Sequence, residues 1–277
     1  MYLVVGANGQ LGNEIRNCLG DDGFYTGKEE LDITNSRQLA DVVKNNSFRA
    51  IINCSAYTAV DRAESEVDLA VKINVEGVKN LVNSGLPLIH ISTDYVFDGE
   101  KNTPYTENDT TNPLSIYGKT KLAGENEIVK TCKNYIIIRT SWLYSQYGGN
   151  FLKTMLRLGK EKESLDVIFD QVGTPTYAKD LAQAIVEILP KIKDDAREIY
   201  NFSNEGVCSW FDFATEIMKE ARLKCKVHSI ESKDYKTVAI RPKFSVLNKS
   251  KIKRDFDIAI RYWRDAMVEC IKNINKT

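Results

Sequence analysis

The sequence lacks an excess of charge of either sign and lacks long apolar runs. It has 38 Lys and Arg against 38 Asp and Glu, so the formal net charge at pH 7 is zero. That balance argues against sequence-independent binding of nucleic acid through a broad basic surface. Its longest apolar stretches, such as residues 50–52 and 135–138, fall far short of the roughly 18 to 20 residues that a membrane helix needs. We therefore expect no nucleic-acid partner and no membrane partner.

Glycine and proline are also scarce, and the cysteines form no recognisable pairs. Only 16 glycines and 6 prolines occur in 277 residues, which excludes collagen-like and low-complexity chains. The six cysteines lie far apart without a Cys-x-x-Cys motif, so we expect reduced core thiols. The apolar start of the chain gives way to glycine by Gly6, which leaves no room for a signal peptide. These features predict a cytoplasmic protein. The two histidines are isolated and the carboxylates lack metal-like spacing, so no metal site is predicted.

Short apolar runs alternate with segments whose apolar residues recur at helical spacing. The runs lie at residues 3–5, 50–53, 88–91 and 135–138. This alternation is typical of parallel strands joined by crossover helices. It predicts an α/β fold with a Rossmann-type doubly wound parallel sheet and a ligand beyond the carboxyl ends of its strands.

The alternation loosens after Arg139, where two helical segments follow without equally clear strands between them. We therefore predict a smaller C-terminal α/β substrate-binding domain, and expect the chain to cross the boundary more than once. The dinucleotide-binding domain would comprise residues 1–141 plus about 173–197, and the substrate-binding domain about 142–172 plus 198–277.

A glycine motif follows the first predicted strand and opens the first predicted helix. The residues are Gly6-Ala7-Asn8-Gly9-Gln10-Leu11-Gly12. Glycines at this position allow a tight turn and close backbone approach, and the helix N-terminus offers free N–H groups to a pyrophosphate. The motif predicts dinucleotide contacts at Gly6, Asn8, Gly9, Gln10, Leu11 and Gly12. A turn needed only for packing the strand on the helix is the alternative.

The identity of the dinucleotide is less sharply indicated. After the second strand, Lys28 could pair with the 2′-phosphate of NADPH, whereas Glu29 and Glu30 would oppose it. The balance slightly favours NADPH, with NADH as the alternative. Lys28 could equally be a solvated loop residue that binds no cofactor. Asp32 and Ile33 are expected to contact adenine, although Asp32 also fits the start of a helix.

A Tyr and a Lys four residues apart form the candidate catalytic pair. Tyr117 and Lys121 share a helix face, and an ammonium beside a phenol favours the phenolate, so we expect Lys121 to lower the pKa of Tyr117. The pair follows a loop that leaves the fourth strand at Ser92 and Thr93. Thr93 is the predicted third member, a hydrogen-bond donor to a substrate carbonyl. Capping of a turn is the alternative role for Thr93.

These motifs resemble the extended short-chain dehydrogenase/reductases and, within them, the dTDP-4-dehydrorhamnose reductase family. Similar stretches run along nearly the whole chain and include residues 54–61, 92–99, 117–125, 139–144, 150–151, 170–176, 209–213 and 241–242. The resemblance implies reduction of the C4 keto group of dTDP-4-dehydro-6-deoxy-L-mannose by a reduced nicotinamide cofactor. The expected partner is that dTDP-sugar. The resemblance allows a monomer or a homodimer and leaves a magnesium requirement open.

The resemblance also implies roles for individual residues. Ser55, Ala56, Tyr57 and Ile91 would flank the middle and the nicotinamide end of the cofactor, and Lys121 would hold the nicotinamide ribose. The implied sugar-contacting residues are Thr93, Asp94, Tyr95, Trp142, Asn150 and Arg241.

Two other functions are compatible with the same scaffold. One is a sugar-nucleotide dehydratase or epimerase. Dehydratases, however, carry a motif similar to Thr-Asp-Glu at the position where this chain has Thr93-Asp94-Tyr95. A non-catalytic regulatory subunit similar to the methionine adenosyltransferase β subunit is the other. The presence of Thr93, Tyr117 and Lys121 together favours catalysis.

Overall fold

A computed structural model describes residues 1–276, which form one large parallel sheet, three small sheets and the helices packed on them. The strands are β1 (Tyr2–Val5), β2 (Gly23–Thr26), β3 (Ile51–Asn53), β4 (Leu88–Thr93), β5 (Tyr135–Thr140), β6 (Leu143–Tyr144), β7 (Ser164–Ile168), β8 (Val172–Gly173), β9 (Thr176–Tyr177), β10 (Arg197–Phe202), β11 (Cys208–Ser209) and β12 (Lys226–Ile230). The α-helices are α1 (Gln10–Leu19), α2 (Ser36–Lys44), α3 (Val60–Ala63), α4 (Val67–Val71), α5 (Val78–Asn83), α6 (Ile116–Thr131), α7 (Phe151–Glu161), α8 (Ala178–Ile188), α9 (Trp210–Glu220), α10 (Ser250–Phe256) and α11 (Trp263–Ile274).

The large sheet has the strand order β10-β5-β4-β3-β1-β2, with every neighbouring pair parallel. The predicted apolar runs coincide with β1, β3, β4 and β5, so the predicted α/β class is confirmed. The sheet grows outward in both directions from β1 and β3. The carboxyl ends of these central strands therefore open the crevice in which a doubly wound sheet binds its ligand.

Helices cover both faces of the sheet because successive strand residues point to opposite sides. Val4 packs with α1 and α8, in a core that includes Leu11 and Ile185. Leu3 and Val5 pack on the other face with α2, α5 and α6. Both faces of β1 are thus fully buried, which explains its continuous apolar sequence.

A second core lies among α7, α9 and α11. It contains Leu152, Phe213 and Met267, all fully buried. Strands β7 and β12 pair in parallel beside it, although the sequence shows no clear strand there, because their residues are mostly exposed or only partly buried. Within residues 1–276, no helix combines the length and apolarity needed to cross a membrane. All six cysteines are free thiols, four of them buried.

An ion pair is buried between α6 and β5. The guanidinium of Arg139 donates to both carboxylate oxygens of Glu125, with Nη2 to Oε2 at 2.7 Å and Nε to Oε1 at 3.0 Å. The two side chains are only 4% and 2% exposed. A charge left alone in such a place cannot regain water, so each partner requires the other.

We expect Glu125→Leu to destabilise the protein by about 3–5 kcal/mol, because it leaves Arg139 buried without a counter-charge. Combining it with Arg139→Met removes both charges and is expected to recover most of that free energy of unfolding. Urea denaturation of the two single variants and the double variant tests this. A double variant whose loss equals the sum of the single losses would contradict the interpretation.

Candidate active site

A cavity of about 540 Å³ opens at the carboxyl ends of the central strands. A second cavity of about 270 Å³ continues from it past the ends of β1 and β2. Gly9, Cys54 and Ala56 line both, so the two form one elongated cleft. Its predicted lining residues are Gly6, Asn8, Gly9, Gln10, Leu11, Asp32, Ile33, Ser55, Ala56, Ile91, Thr93, Asp94, Tyr95, Tyr117, Lys121, Trp142 and Asn150.

Close backbone contacts shape the glycine loop. Gly6 has φ +74°, and a Cβ there would lie 2.6 Å from the backbone nitrogen of Ser55. A Cβ on Gly12 would lie 2.5 Å from Cα of Ala7. Only glycine permits both approaches. They hold the start of α1 against the loop that follows β3, and leave a shallow cradle between them.

The N-terminus of α1 faces this cradle. Its N-cap residue is Gly9, so no side chain caps the free N–H groups of the first turn. Such N–H groups bind anionic phosphate. The chain thus offers both the space and the donors that a dinucleotide pyrophosphate requires. Asn150 donates to the Gln10 side chain at 2.9 Å and caps α7, so it ties the second core to the edge of the cradle.

The far end of the cleft is lined by Lys28, Asp32 and Ile33. Lys28 is exposed. Burial acts to raise the pKa of Asp32, but hydrogen bonds from Thr34, with a smaller contribution from the Lys28 charge, lower it below its usual value. The Glu30 carboxylate accepts a hydrogen bond from the backbone of Gly27 at 2.8 Å. A cation and a carboxylate therefore both lie where the second strand ends, near the expected adenosine ribose.

Helix α6 brings the candidate catalytic pair into the cleft. Its N-cap, Ser115, accepts from the backbone N–H of Gly118 at 3.2 Å, so the helix begins at Ile116 and presents Tyr117 and Lys121 one turn apart. Both side chains line the cavity with Thr93, the last residue of β4. The predicted trio is therefore brought together, although its members come from two separate elements.

The expected effect of Lys121 on Tyr117 is wrong for this structure. Burial raises the pKa of Tyr117 to about 12; the Asp94 charge also raises it, while a hydrogen bond with Thr93 lowers it. The physical reason is the direction of Lys121, whose Nζ donates to the backbone oxygen of Ile91 at 2.6 Å. Tyr117 is accordingly a neutral phenol, the form that can donate a proton.

Asp94 is a second buried acid beside the trio. Burial raises its pKa from 3.8 to about 7. Its Oδ1 accepts from the Thr93 hydroxyl at 3.0 Å, and a side-chain hydrogen bond from Ser245 likewise opposes the upward shift. Asp94 lines the cavity, where its carboxyl group is suited to bind a hydroxyl of a ligand.

Two stacked indoles line the other side of the cavity. Trp142 and Trp210 have ring centroids 3.5 Å apart and planes 7° apart. Trp142 adopts φ +48°, a strained conformation for a bulky residue. Gly173 accommodates it, since a Cβ there would lie 2.7 Å from the Trp142 ring. The sequence motifs predicted Trp142 but not Trp210, because no local pattern indicates which distant ring will meet it.

Three predicted site residues do not line the cleft in the described part of the chain. Gly12 lies beneath the glycine loop, where it allows close packing. Tyr57 turns its hydroxyl to Glu66 at 2.6 Å. The guanidinium of Arg241 is engaged by Asp61 at 2.6 Å. Among residues 1–276, no group of three or more His, Cys, Asp or Glu side chains is arranged to hold a metal ion.

One buried polar residue that the sequence analysis missed positions this side of the cleft. Asn74 lies in a π-helical turn, Lys72–Gly77, between α4 and α5. Its side chain accepts from the Tyr57 N–H at 2.9 Å and donates to the Thr120 hydroxyl at 3.0 Å. It therefore joins the loop after β3 to α6. Irregular helical turns often occur at functional sites, but the sequence carries no signal for this one.

Comparisons with known proteins agree with this geometry. Residues 1–276 match the family model described as the RmlD substrate binding domain. The chain is 40% identical to a dTDP-4-dehydrorhamnose reductase of Aggregatibacter actinomycetemcomitans over 282 aligned residues, covering 96% of each chain. A crystal structure of a dTDP-4-dehydrorhamnose reductase from Clostridium acetobutylicum superposes with a TM-score of 0.94 at 40% identity, covering 99% of each chain. That of Bacillus anthracis, in complex with NADP, gives 0.92 at 39% identity, covering 98% of each.

The raised pKa of Asp94 predicts a pH-dependent cost in stability. Between about pH 3.8 and about pH 7 the folded chain holds a proton that the unfolded chain releases, so the free energy of unfolding falls as pH rises. Asp94→Asn removes this pH-dependent contribution to the free energy of unfolding. We expect the free energy of unfolding of the variant, relative to that of wild type, to be higher at about pH 8 than at about pH 4.

Thermal denaturation of both proteins at the two pH values measures the effect. Asp21→Asn, a change at an exposed carboxylate, is the control. Equal differences in melting temperature at both pH values for Asp94→Asn would show that Asp94 ionises normally in the folded state.

Proposed function

The chain belongs to the family of the RmlD substrate binding domain, and we propose that it is an NADPH-dependent oxidoreductase of dTDP-rhamnose biosynthesis. The reaction is reduction of the C4 keto group of dTDP-4-dehydro-6-deoxy-L-mannose to give dTDP-L-rhamnose. The observation that carries this proposal is the position of Thr93, Tyr117 and Lys121 on one cavity that runs up to the uncapped N-terminus of α1.

The cleft accounts for the binding of a dinucleotide. Gly9, Gln10 and Leu11 would hold the pyrophosphate at the start of α1, while Asp32 and Ile33 would contact adenine. The nicotinamide end would then lie toward Ile91, Tyr117 and Lys121, at the carboxyl end of β4. The bound cofactor, when reduced, supplies the hydride that C4 receives.

The side chains around the sugar supply the proton and its position. Tyr117 is a neutral phenol and would donate its proton to the C4 oxygen as negative charge develops there. The Thr93 hydroxyl, which donates to Asp94 in the structure, would turn to donate to the same oxygen, which would stabilise the charge. Asp94 and Trp142 would bind the sugar, with Tyr95 and Asn150 at the margins. Lys121 would hold the nicotinamide ribose.

Tyr95 supports reduction over dehydration. A 4,6-dehydratase must protonate the leaving C6 hydroxyl. This chain has the half-buried phenol of Tyr95 at the position where dehydratases are similar in having Glu. Burial raises the pKa of Tyr95 above its usual value, with the Asp94 charge acting in the same direction. Tyr95 is therefore a weaker acid than a carboxyl group would be.

We also propose a two-part organisation that follows the two cores. The predicted boundary after residue 197 would cut β10, whose residues Arg197–Phe202 all pair with β5. We therefore assign residues 198–202 to the dinucleotide-binding part and retain the predicted substrate-binding part elsewhere. The six free thiols fit a cytoplasmic enzyme. We propose a homodimer as the oligomeric form if the chain self-associates.

The variant Tyr117→Phe is expected to lower turnover by roughly 10² to 10⁴ with little loss of NADPH affinity, because only the proton donor is removed. Oxidation of NADPH in the presence of enzymatically generated dTDP-4-dehydro-6-deoxy-L-mannose provides the assay. Tyr147→Phe is the matched control, since that hydroxyl bonds Asn17 outside the cavity. Unchanged turnover in Tyr117→Phe would remove Tyr117 from the mechanism.

Replacing Lys28 tests the preference between the two nicotinamide cofactors. Lys28→Ala should raise KM for NADPH roughly threefold to tenfold, as expected for loss of one exposed charge pair with the 2′-phosphate, and leave KM for NADH nearly unchanged. Lys44→Ala, at the exposed end of α2, is the control. An equal effect on both cofactors would show that Lys28 does not read the 2′-phosphate.

A further inference from the structure

His90 is a fully buried titratable residue that the proposed reaction does not use. It lies in β4 with no exposed surface. Its two ring nitrogens each meet a polar atom, Nδ1 lying 2.9 Å from Nδ2 of Asn53 and Nε2 lying 3.3 Å from Nζ of Lys121. Burial lowers the pKa of His90 well below its usual value. The imidazole is therefore neutral.

Ser55 fixes the orientation of the Asn53 amide. The backbone N–H of Ser55 can only donate, and it lies 3.0 Å from Oδ1 of Asn53. The Ser55 hydroxyl donates to the same oxygen at 2.6 Å. Turning the amide over would place two N–H groups face to face. The amide NH₂ of Asn53 consequently donates to Nδ1 of His90, so that nitrogen carries no hydrogen.

The single proton of the neutral ring must then lie on Nε2. This N–H points toward Nζ of Lys121, and it can form a hydrogen bond only with a nitrogen that has a free lone pair. An ammonium group has none, whereas an uncharged amine has one. The amine still donates to the backbone oxygen of Ile91 at 2.6 Å. The geometry thus pairs His90 with the uncharged form of Lys121.

We propose that His90 is a positioning residue that stabilises uncharged Lys121 and thereby sets the pH at which Lys121 gains its proton in the active site. This inference rests on the role of Lys121 in the proposed function. The other ionisable groups around Lys121 are Tyr117 and Glu125 on α6 and Cys54 after β3. Burial lowers the pKa of Lys121 to about 8, while the charge of Glu125 opposes that shift.

The first test is spectroscopic and needs no turnover. The chain has two histidines, so protein labelled with ¹⁵N in the imidazole rings gives two sets of ring signals, and His228→Gln assigns them. We expect His90 to carry its proton on Nε2 and none on Nδ1 from about pH 6 to about pH 10. Its shifts should change with a midpoint of about 8, set by Lys121.

Lys121→Met is the matched variant for this experiment. The midpoint near 8 should disappear from the His90 signals, while the Nε2 proton remains. A proton on Nδ1, a doubly protonated ring, or a midpoint that persists in Lys121→Met would each overturn the inference. These signals are read in the protein without substrate, so failure of the reductase assay with every sugar nucleotide would leave this result standing on its own.

The second test uses the pH profile of turnover. His90→Leu removes the N–H that favours the amine, so the limb of the profile assigned to Lys121 should move upward by roughly half to one pH unit, the size expected for one hydrogen bond. Ile89→Val, in the adjacent core position of β4, is the control for lost packing. A limb that stays in place in both variants would contradict the proposal, and the spectroscopic test decides the case if His90→Leu does not fold.

Discussion

Loss of water from ionisable side chains is the constraint that shapes this site. Lys121, Asp94 and His90 are buried around the end of β4 and Tyr117 is half-buried there, and loss of water moves the pKa of each toward its uncharged form. Near neutral pH Tyr117 is a phenol that can donate a proton, Asp94 is close to its midpoint, and Lys121 loses its proton about one pH unit higher. A site of this kind can exchange single protons with a ligand without first creating a buried, unpaired charge.

The fold supplies that burial through backbone packing at the edge of the sheet. The contact of Gly6 with Ser55 packs the glycine loop against the segment after β3. Hydrogen bonds of the Asn74 side chain connect the same segment to α6. Glu125 lies one turn beyond Lys121 on α6, and its carboxylate is paired with the guanidinium of Arg139.

Much of this could be predicted from local pattern. The strands β1, β3, β4 and β5 are continuous apolar runs because both sheet faces are covered, and the glycine loop follows β1 directly in the chain. The spacing of Tyr117 and Lys121 is likewise local. The effect of Lys121 on Tyr117 was not predictable in this way, because the direction of the Lys121 amine depends on Ile91 and His90, which lie in another element. Pairing of Arg241 with Asp61 is equally non-local.

Trp142 shows why the two cores must be understood together. The chain leaves the large sheet at Thr140, the last residue of β5, and β6 begins at Leu143, so the left-handed backbone of Trp142 makes the change of direction between them. Such a conformation persists only where its surroundings impose it. Here the ring of Trp210 stacks on the Trp142 ring, and Gly173 leaves room for it because it has no side chain. Both residues lie outside the large sheet. The strain therefore lies at the junction of the two cores, on a side chain that faces the proposed sugar site.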